Sequence, residues 1–176
     1  MSDTTATSTS FSDLVDQTST ALAGAPEGGA TTRFTVRGSL AAGTNTQVDI
    51  TAGQHRFTID EPSALGGQDA GASPVEHLLA ALASCQIITA QVWAAKLDLR
   101  LEDVTVELTG PIDLRGFLGV SDQVRPGFGA VQVDVHLSGP EPDGAYAELI
   151  GKVEEHCPVL DNLTAGVPVR TTVTAG

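Results

Sequence analysis

The sequence is poor in cysteine and in aromatic residues. Its two cysteines and four histidines lie far apart, and it contains neither a CxxC nor an HExxH motif, so we do not expect a structural zinc site. The glycine-rich stretch GGQDAG at 66–71 matches neither the Walker pattern nor GxGxxG. We therefore predict no metal and no cofactor. Aromatic residues make up 4% of the chain, so Val, Leu, Ile and Ala must build the core.

Positive charge is also scarce. The chain has 22 acidic and 9 basic residues and a formal charge of −13, which opposes binding to nucleic acid or to an anionic membrane. No apolar run approaches the ~20 residues that a membrane helix requires, and the N-terminus lacks the basic and apolar regions of a secretory signal. We expect a cytoplasmic protein without a nucleic-acid or membrane partner.

The chain length of 176 residues suits one domain, or one protomer of an obligate dimer. Residues 1–30 are rich in Thr, Ser, Ala and Gly and are interpreted as an N-terminal extension. This extension is either a flexible tail or a short amphipathic helix through Phe11, Leu14, Val15 and Leu22. Residues 31–176 are predicted to form the folded domain.

Several short stretches are typical of β-strands. RFTVRGSL, TQVDIT and HRFTID are separated by AAGTN and AGQ turns, which predicts an antiparallel meander. VTVELTG at 104–110 and AVQVDVHLSG at 130–139 alternate with period two and predict half-buried strands. VPVRTTVT at 167–174 is predicted to close the chain as a strand.

Ser73-Pro74-Val75-Glu76 is the clearest helix start. Ser73 is a capping residue, Pro74 has the φ of a first turn, and Glu76 completes a capping box. No breaker follows until about Asp98, which gives some 24 residues and roughly 36 Å of helix. The middle of this helix is apolar on nearly all sides, so we expect it to be covered by this chain's sheet on one face and by a partner subunit on the other.

Two further helices are expected towards the C-terminus. Asp143 is predicted to cap AYAELIGKVEEH, which must end before Pro158 because the residue preceding a proline disfavours the α region. A short helix, PVLDNL, is predicted to follow.

The two cysteines differ in their local setting. Cys85 lies in the middle of the long helix, where it is either a small core residue or a nucleophile that needs a cation or base from elsewhere. Cys157 lies at or next to the start of PVLDNL with Pro158 at the first helical position, where the helix end favours a thiolate or the side chain is simply packed. Together they suggest one redox pair, although a disulfide requires Cα atoms within ~7 Å.

Two segments carry a resemblance to a known family. DEPSALGGQDAGASPVEHLLAALASC and the later HCPVLDNL resemble the OsmC/Ohr superfamily of osmotically inducible and organic-hydroperoxide-resistance proteins, over roughly residues 33–176. The resemblance implies an α+β homodimer in which antiparallel sheets from two chains wrap long central helices in an intertwined arrangement. It also implies that Cys85 attacks a peroxide, that Cys157 resolves the resulting sulfenic acid as a disulfide, and that a dithiol reductant restores both.

The sequence departs from the family's peroxidases at one position. They carry a Glu ten positions before the attacking cysteine, paired with an Arg that holds the thiolate. Here that position is Val75, and Glu76 lies one step, about 100° of rotation, further on. For the Arg, the resemblance of HRF at 55–57 favours Arg56, and the alternatives are Arg37, Arg115 and Arg125. The pattern fits a less characterised OsmC-like branch, with Cys85, Cys157, Arg56 and Glu76 as the candidate catalytic residues.

Two functions follow from these observations. The first is a thiol-dependent peroxidase that reduces organic hydroperoxides as part of an antioxidant response. The alternative is a dimeric protein that binds a small hydrophobic ligand, with redox-sensing or structural cysteines; the missing Glu before Cys85 favours it. A hydrolase with Cys85 as nucleophile needs a base, and His77 lies about 12 Å away along the helix.

Overall fold

The computed structural model describes residues 9–176 and shows a mixed α+β chain with antiparallel sheets, as expected from the sequence. The chain divides into two units, one ending at Ala80 and one comprising Ala81–Gly176. The long helix predicted from Ser73 crosses this boundary. The two units are described separately below.

The N-terminal unit contains one helix and a three-stranded sheet. The sheet order is β1-β2-β3, with both pairs antiparallel and Thr51 opposite Arg37 on one side and Arg56 on the other. The two hairpin turns predicted between these strands are confirmed. The elements are α1 (Phe11–Ala23), β1 (Val36–Leu40), β2 (Val48–Ala52), β3 (His55–Ile59) and a 3₁₀ turn at Ser63–Leu65.

Helix α1 lies within the N-terminal extension. It starts at a capping box, in which the backbone N–H of Asp13 donates to Ser10 Oγ at 3.1 Å and that of Ser10 donates to the Asp13 carboxylate at 3.2 Å. No residue of α1 is buried, and Phe11 and Leu14 are each about half exposed. The structure therefore has the helix rather than the flexible tail over 11–23, while the domain boundary near residue 30 stays a prediction.

The loop between β3 and the long helix is organised by a buried carboxylate. Asp60 is 1% exposed and accepts hydrogen bonds from Thr46 Oγ1 at 2.6 Å and from the backbone N–H groups of Glu61, Gln68 and Ala70 at 2.9–3.2 Å. The hydroxyl of Thr46 and these N–H groups lower the pKa of Asp60 to about 2 despite the opposing effect of burial.

Glycine is required in this loop by close backbone approach. A Cβ on Gly67 would lie 1.7 Å from the carbonyl oxygen of Glu61, and one on Gly71 would lie 2.3 Å from that of Thr58. The glycine-rich stretch is thus explained by packing around Asp60.

The long helix α2 (Pro74–Lys96) begins where the sequence predicts. The Ser73 backbone N–H and hydroxyl donate to Glu76 Oε2 at 2.7 and 2.6 Å, and the Glu76 N–H donates to Ser73 Oγ at 3.4 Å. This reciprocal pair is the predicted capping box. It lowers the pKa of Glu76 below its ordinary value, with the Ser73 hydroxyl as the largest cause.

The expectation that no apolar stretch approaches the length of a membrane helix was wrong for α2. By length and composition this helix is apolar enough to cross a membrane, because Ser84, Gln86 and Thr89 interrupt its apolar run without lowering its mean hydropathy far. A single helix of this kind is weak evidence for a membrane span, since the core helix of a soluble protein has the same composition.

The C-terminal unit packs a two-stranded sheet and helices around the second half of α2. Strands β4 and β5 pair antiparallel, with Val106 opposite Val135. The buried hydrophobic residues are Leu82, Ala90, Ala94, Leu149, Val153 and Cys157. The elements are β4 (Asp103–Thr109), α3 (Leu114–Phe117), β5 (Gln132–Ser138), α4 (Asp143–His156) and α5 (Pro158–Asp161), followed by a π-helical turn at Asn162–Gly166.

Two sequence predictions fail in this unit. VPVRTTVT is not a strand: residues 167–176 form no regular element, and Val169 and Val173 are more than 80% exposed, because no strand of the described chain pairs with this segment. Asp143 is the first residue of α4 rather than its cap, and Pro142 occupies the cap position without a side-chain hydrogen bond.

Candidate functional site

The two cysteines, 72 positions apart in sequence, meet in the C-terminal unit. Both are free; Cys85 packs against the buried cluster that contains Cys157, and its thiol lies near enough to raise the pKa of Cys157. Cys85 is half-buried on α2, whereas Cys157 is 1% exposed, between α4 and α5. The structure thus brings together the pair that the sequence suggested, with one thiol open to a ligand and the other behind it.

The position of Cys157 follows from local sequence. The backbone of α4 ends at His156, and Cys157 takes an extended conformation because Pro158 follows it as the first residue of α5. Burial raises the pKa of the Cys157 thiol above its ordinary value, and the nearby Cys85 thiol raises it further. The N–H groups of Leu160 and Val159 oppose this rise, although they form no full capping hydrogen bond.

Cys85 lies on the wall of an open groove of about 500 Å³. The groove runs along α2 and is bordered on its other side by His156, Pro158 and Val159. Its surface is mostly apolar, which suits an organic molecule better than water or a small ion. The lining side chains are Ala81, Ser84, Cys85, Ile88, Thr89, Val92, Trp93, His156, Pro158 and Val159.

One end of the groove carries an aromatic and cationic cluster. The Trp93 and His156 rings stack with centroids 4.4 Å apart and planes 22° apart. Lys96 Nζ lies 4.9 Å and Lys152 Nζ 5.8 Å from the Trp93 centroid. These distances are within the range of cation–π attraction, so both ammonium groups stabilise this stack.

The predicted site residues Arg56 and Glu76 belong to the N-terminal unit. Arg56 is exposed on the polar face of the sheet, on the same row as Arg37. Glu76 is held by Ser73 in the capping box described above. The capping box is therefore sufficient to explain the presence of Glu76 at this position. A catalytic role for Arg56 or Glu76 stays a prediction.

The remaining candidate arginines are placed in the C-terminal unit. Arg115 forms an exposed bidentate pair with Asp113, and this guanidinium holds the pKa of Asp113 at about 2. Arg125 lies in the loop before β5. No arginine is among the described residues that line the groove.

The cluster around Trp93 was missed from sequence, although one signal pointed to it. Lys96 follows Trp93 by three positions and so shares its helix face. Lys152 and His156 likewise share a face of α4, at i and i+4. The sequence does not show that α2 and α4 pack with these two faces together.

Comparison with protein families identifies a match over more than half of the chain. A family model described as OsmC-like protein matches residues 66–172. A comparison with curated proteins found no significant match.

Solved structures resemble the chain over about three quarters of its length. An OsmC-like protein from Mycoplasma pneumoniae has a TM-score of 0.66 at 20% identity and covers 77% of this chain and 89% of its own. An organic hydroperoxide resistance protein OsmC from Legionella pneumophila has a TM-score of 0.56 at 23% identity, with 77% and 91% covered. An organic hydroperoxide resistance protein from Elizabethkingia anophelis has a TM-score of 0.57 at 17% identity, also with 77% and 91% covered. These likenesses show a shared fold.

Proposed function

We propose that this chain, which belongs to the OsmC-like protein family, is a thiol-dependent peroxidase. It reduces organic hydroperoxides through Cys85 and Cys157. The observation that carries this proposal is the proximity of the two thiols at an apolar groove. The names of two structural neighbours, both organic hydroperoxide resistance proteins, support the substrate class.

The reaction takes three steps. The Cys85 thiolate attacks the terminal oxygen of ROOH, so that an S–O bond forms, the O–O bond breaks and RO⁻ leaves as ROH after taking a proton. The Cys157 sulfur then attacks the Cys85 sulfenic acid, which forms the S–S bond and releases water. An external dithiol reduces this disulfide to two thiols and is itself oxidised to a disulfide.

The arrangement of the thiols suits these roles. Cys85 is the accessible one and borders the groove in which an organic peroxide fits. Cys157 is buried, and its raised pKa keeps it protonated and protected from direct oxidation until the sulfenic acid forms beside it. A buried thiol next to an accessible one is what a resolving cysteine requires.

The cation that stabilises the Cys85 thiolate is proposed to be Arg56. Replacement of Arg56 with Ala is expected to slow hydroperoxide reduction by 10- to 100-fold, on the order of the effect of losing one charged stabilising contact. Arg37→Ala is the matched control, because Arg37 lies on the same row and face of the sheet and is also exposed. Equal loss in both variants would show that Arg56 has no special role.

We further propose that the protein acts as a cytoplasmic homodimer. The exposed apolar side chains include Ile88 on α2 and Phe34, Val36 and Leu40 in the N-terminal unit, each more than 60% exposed, and a second copy of the chain would cover them. Analytical ultracentrifugation of the purified protein should give twice the mass of 18.0 kDa. A monomer at all concentrations would contradict this assembly.

A second candidate function is the binding of a hydrophobic ligand without turnover. It is favoured by the absence of arginine among the groove-lining residues and by the occupation of Glu76 in its capping box. In that case Cys85→Ser would bind the ligand as the unchanged protein does.

The deciding experiment is the consumption of cumene hydroperoxide in the presence of a dithiol. The unchanged protein should turn over repeatedly. If it consumes no peroxide above the rate of free dithiol, the peroxidase proposal fails and the binding function takes its place.

A further inference from the structure

A cavity of about 340 Å³ lies in the C-terminal unit between β4, β5, α2 and α4. One wall is formed by valines at alternating positions of the two strands, Val104 and Val106 on β4 and Val133 and Val135 on β5. Small-molecule sites are mostly apolar and start at roughly 300 Å³, so this volume is within their range. It has room for a molecule of roughly ten non-hydrogen atoms.

This cavity is separate from the thiol groove. Gln86 and Ala90 line it from α2, and each is two positions, or about 200° of helical rotation, from Ile88 in the groove. No described residue lines both the cavity and the groove. Ile88 and the other side chains that a second copy is proposed to cover do not line the cavity.

One buried polar atom at this cavity lacks a partner. Gln86 is 6% exposed, and its Oε1 accepts no hydrogen bond from residues 9–176. Such an acceptor has lost its bonds to water without gaining another bond. A ligand that donates a hydrogen bond to this oxygen is therefore bound more tightly than an apolar ligand of the same size.

The charges around the cavity restrict the kind of donor. No lysine, arginine or histidine is among the described residues that line it, whereas Glu154 borders it from α4 and is exposed. Glu154 and the chain charge of −13 disfavour a carboxylate ligand. An ammonium group would have to leave water to reach Gln86, which costs more than one hydrogen bond returns. A neutral hydroxyl donates one hydrogen bond and adds only one polar atom to the cavity.

We propose that this cavity binds a small neutral alcohol, whose hydrocarbon part packs against the strand valines and whose hydroxyl donates to Gln86 Oε1. The site is independent of the proposed peroxidase function, because neither cysteine lines the cavity.

The test is a titration of the reduced, full-length protein with 2-phenylethanol and, separately, with its methyl ether, followed by NMR of the valine methyl groups. Signals of Val106 and Val135 in the cavity should shift, while those of Val92 in the thiol groove should not. The alcohol should bind about tenfold more tightly, as one hydrogen bond to an otherwise unpaired acceptor supplies. Because the ether is the larger and more apolar ligand, burial of apolar surface alone would favour the ether.

Two glutamine variants isolate the role of the amide. Gln86→Leu should lose the preference for the alcohol, and its Tm should not fall, since the change removes an unpaired buried acceptor. Gln91→Leu is the matched control, because Gln91 is on the same helix, is exposed and does not line the cavity. This variant should keep the preference. If Gln86→Leu does not fold, the comparison of the two ligands in the unchanged protein decides alone.

Four results would overturn the inference. They are binding of the ether as tight as that of the alcohol, a preference that survives in Gln86→Leu, shifts at Val92 in place of the strand valines, and no shift with either ligand. The last result is expected if the cavity holds only water.

Discussion

Two buried polar groups in different regions of the molecule behave in opposite ways. Asp60 in the loop before α2 and Cys157 before α5 are equally buried, at 1% exposure each. The pKa of Asp60 is lowered to about 2, whereas that of Cys157 is raised above its ordinary value. Equal burial therefore does not decide which form of an acid is favoured.

The difference lies in the hydrogen-bond donors around each group. Four donors converge on the Asp60 carboxylate and stabilise its charged form. Around Cys157, the two N–H groups of α5 do not compensate for burial and for the neighbouring thiol. The loop thus uses a buried charge as a structural centre, and the thiol region keeps a buried group neutral until chemistry at Cys85 requires it.

Removal of the accessible thiol should have the largest effect. Cys85→Ser is expected to lower the rate of hydroperoxide reduction by at least about 10³-fold, because it removes the nucleophile. Cys157→Ser is the control, since it keeps Cys85 and should still consume one equivalent of peroxide before stopping as a sulfenic acid. Steady-state and single-turnover assays distinguish the two variants. Unimpaired turnover in Cys85→Ser would show that the activity does not depend on the thiol pair.

Neutralising the buried carboxylate should have the next largest effect. Asp60→Asn replaces one acceptor oxygen with an NH₂ group that faces backbone N–H donors, so we expect the Tm to fall by several degrees. Asp49→Asn, an equal change at an exposed position of β2, should alter the Tm little. Thermal unfolding measures both. Similar values for the two variants would show that the loop does not depend on the charge.

The opposite pKa shifts predict opposite pH dependences. Asp60, with its lowered pKa, stabilises the fold fully above pH 3.8, and this contribution is lost as the pH falls towards 2. Cys157, with its raised pKa, contributes stability that is present below pH 9.0 and is lost as the pH rises through its folded value.

Urea unfolding of the reduced protein should accordingly show a decline in stability above pH 9 that Cys157→Ser lacks. An identical alkaline slope in the two proteins would mean that the Cys157 thiol is not held neutral by the fold.

The smallest effect is expected from the cap of α2. Ser73→Ala should lower the free energy of unfolding by about 1 kcal/mol, since it removes the hydroxyl that bonds Glu76. Ser10→Ala removes the same capping arrangement from α1, which buries no residue, and should change global unfolding less. Chemical denaturation measures the free energy of unfolding of both variants. An equal loss in the two would contradict the view that α2 contributes more than α1 to the core.

Local signals made much of the fold predictable. The start of α2 at Pro74 follows from the Ser73 and Glu76 capping box, and the alternation in β4 and β5 placed those strands within two residues. The extended conformation of Cys157 follows from the proline after it. Each of these features depends on residues a few positions apart.

Features that depend on distant residues were not predictable in this way. VPVRTTVT has the pattern of a strand, but a strand also needs a partner edge, and pattern alone does not provide one. The contact between Cys85 and Cys157 was a hypothesis until α4 and α5 were placed against α2. The convergence of Lys96 and Lys152 on Trp93 requires the same packing.

The central claim is that Cys85 and Cys157 form one peroxide-reducing pair, and the thiol state after oxidation tests it most directly. Reduced protein treated with stoichiometric cumene hydroperoxide should lose both titratable thiols, and mass spectrometry of the digested protein should show the peptides of Cys85 and Cys157 joined by a disulfide. If both thiols remain titratable after this treatment, the account of the thiol pair is contradicted.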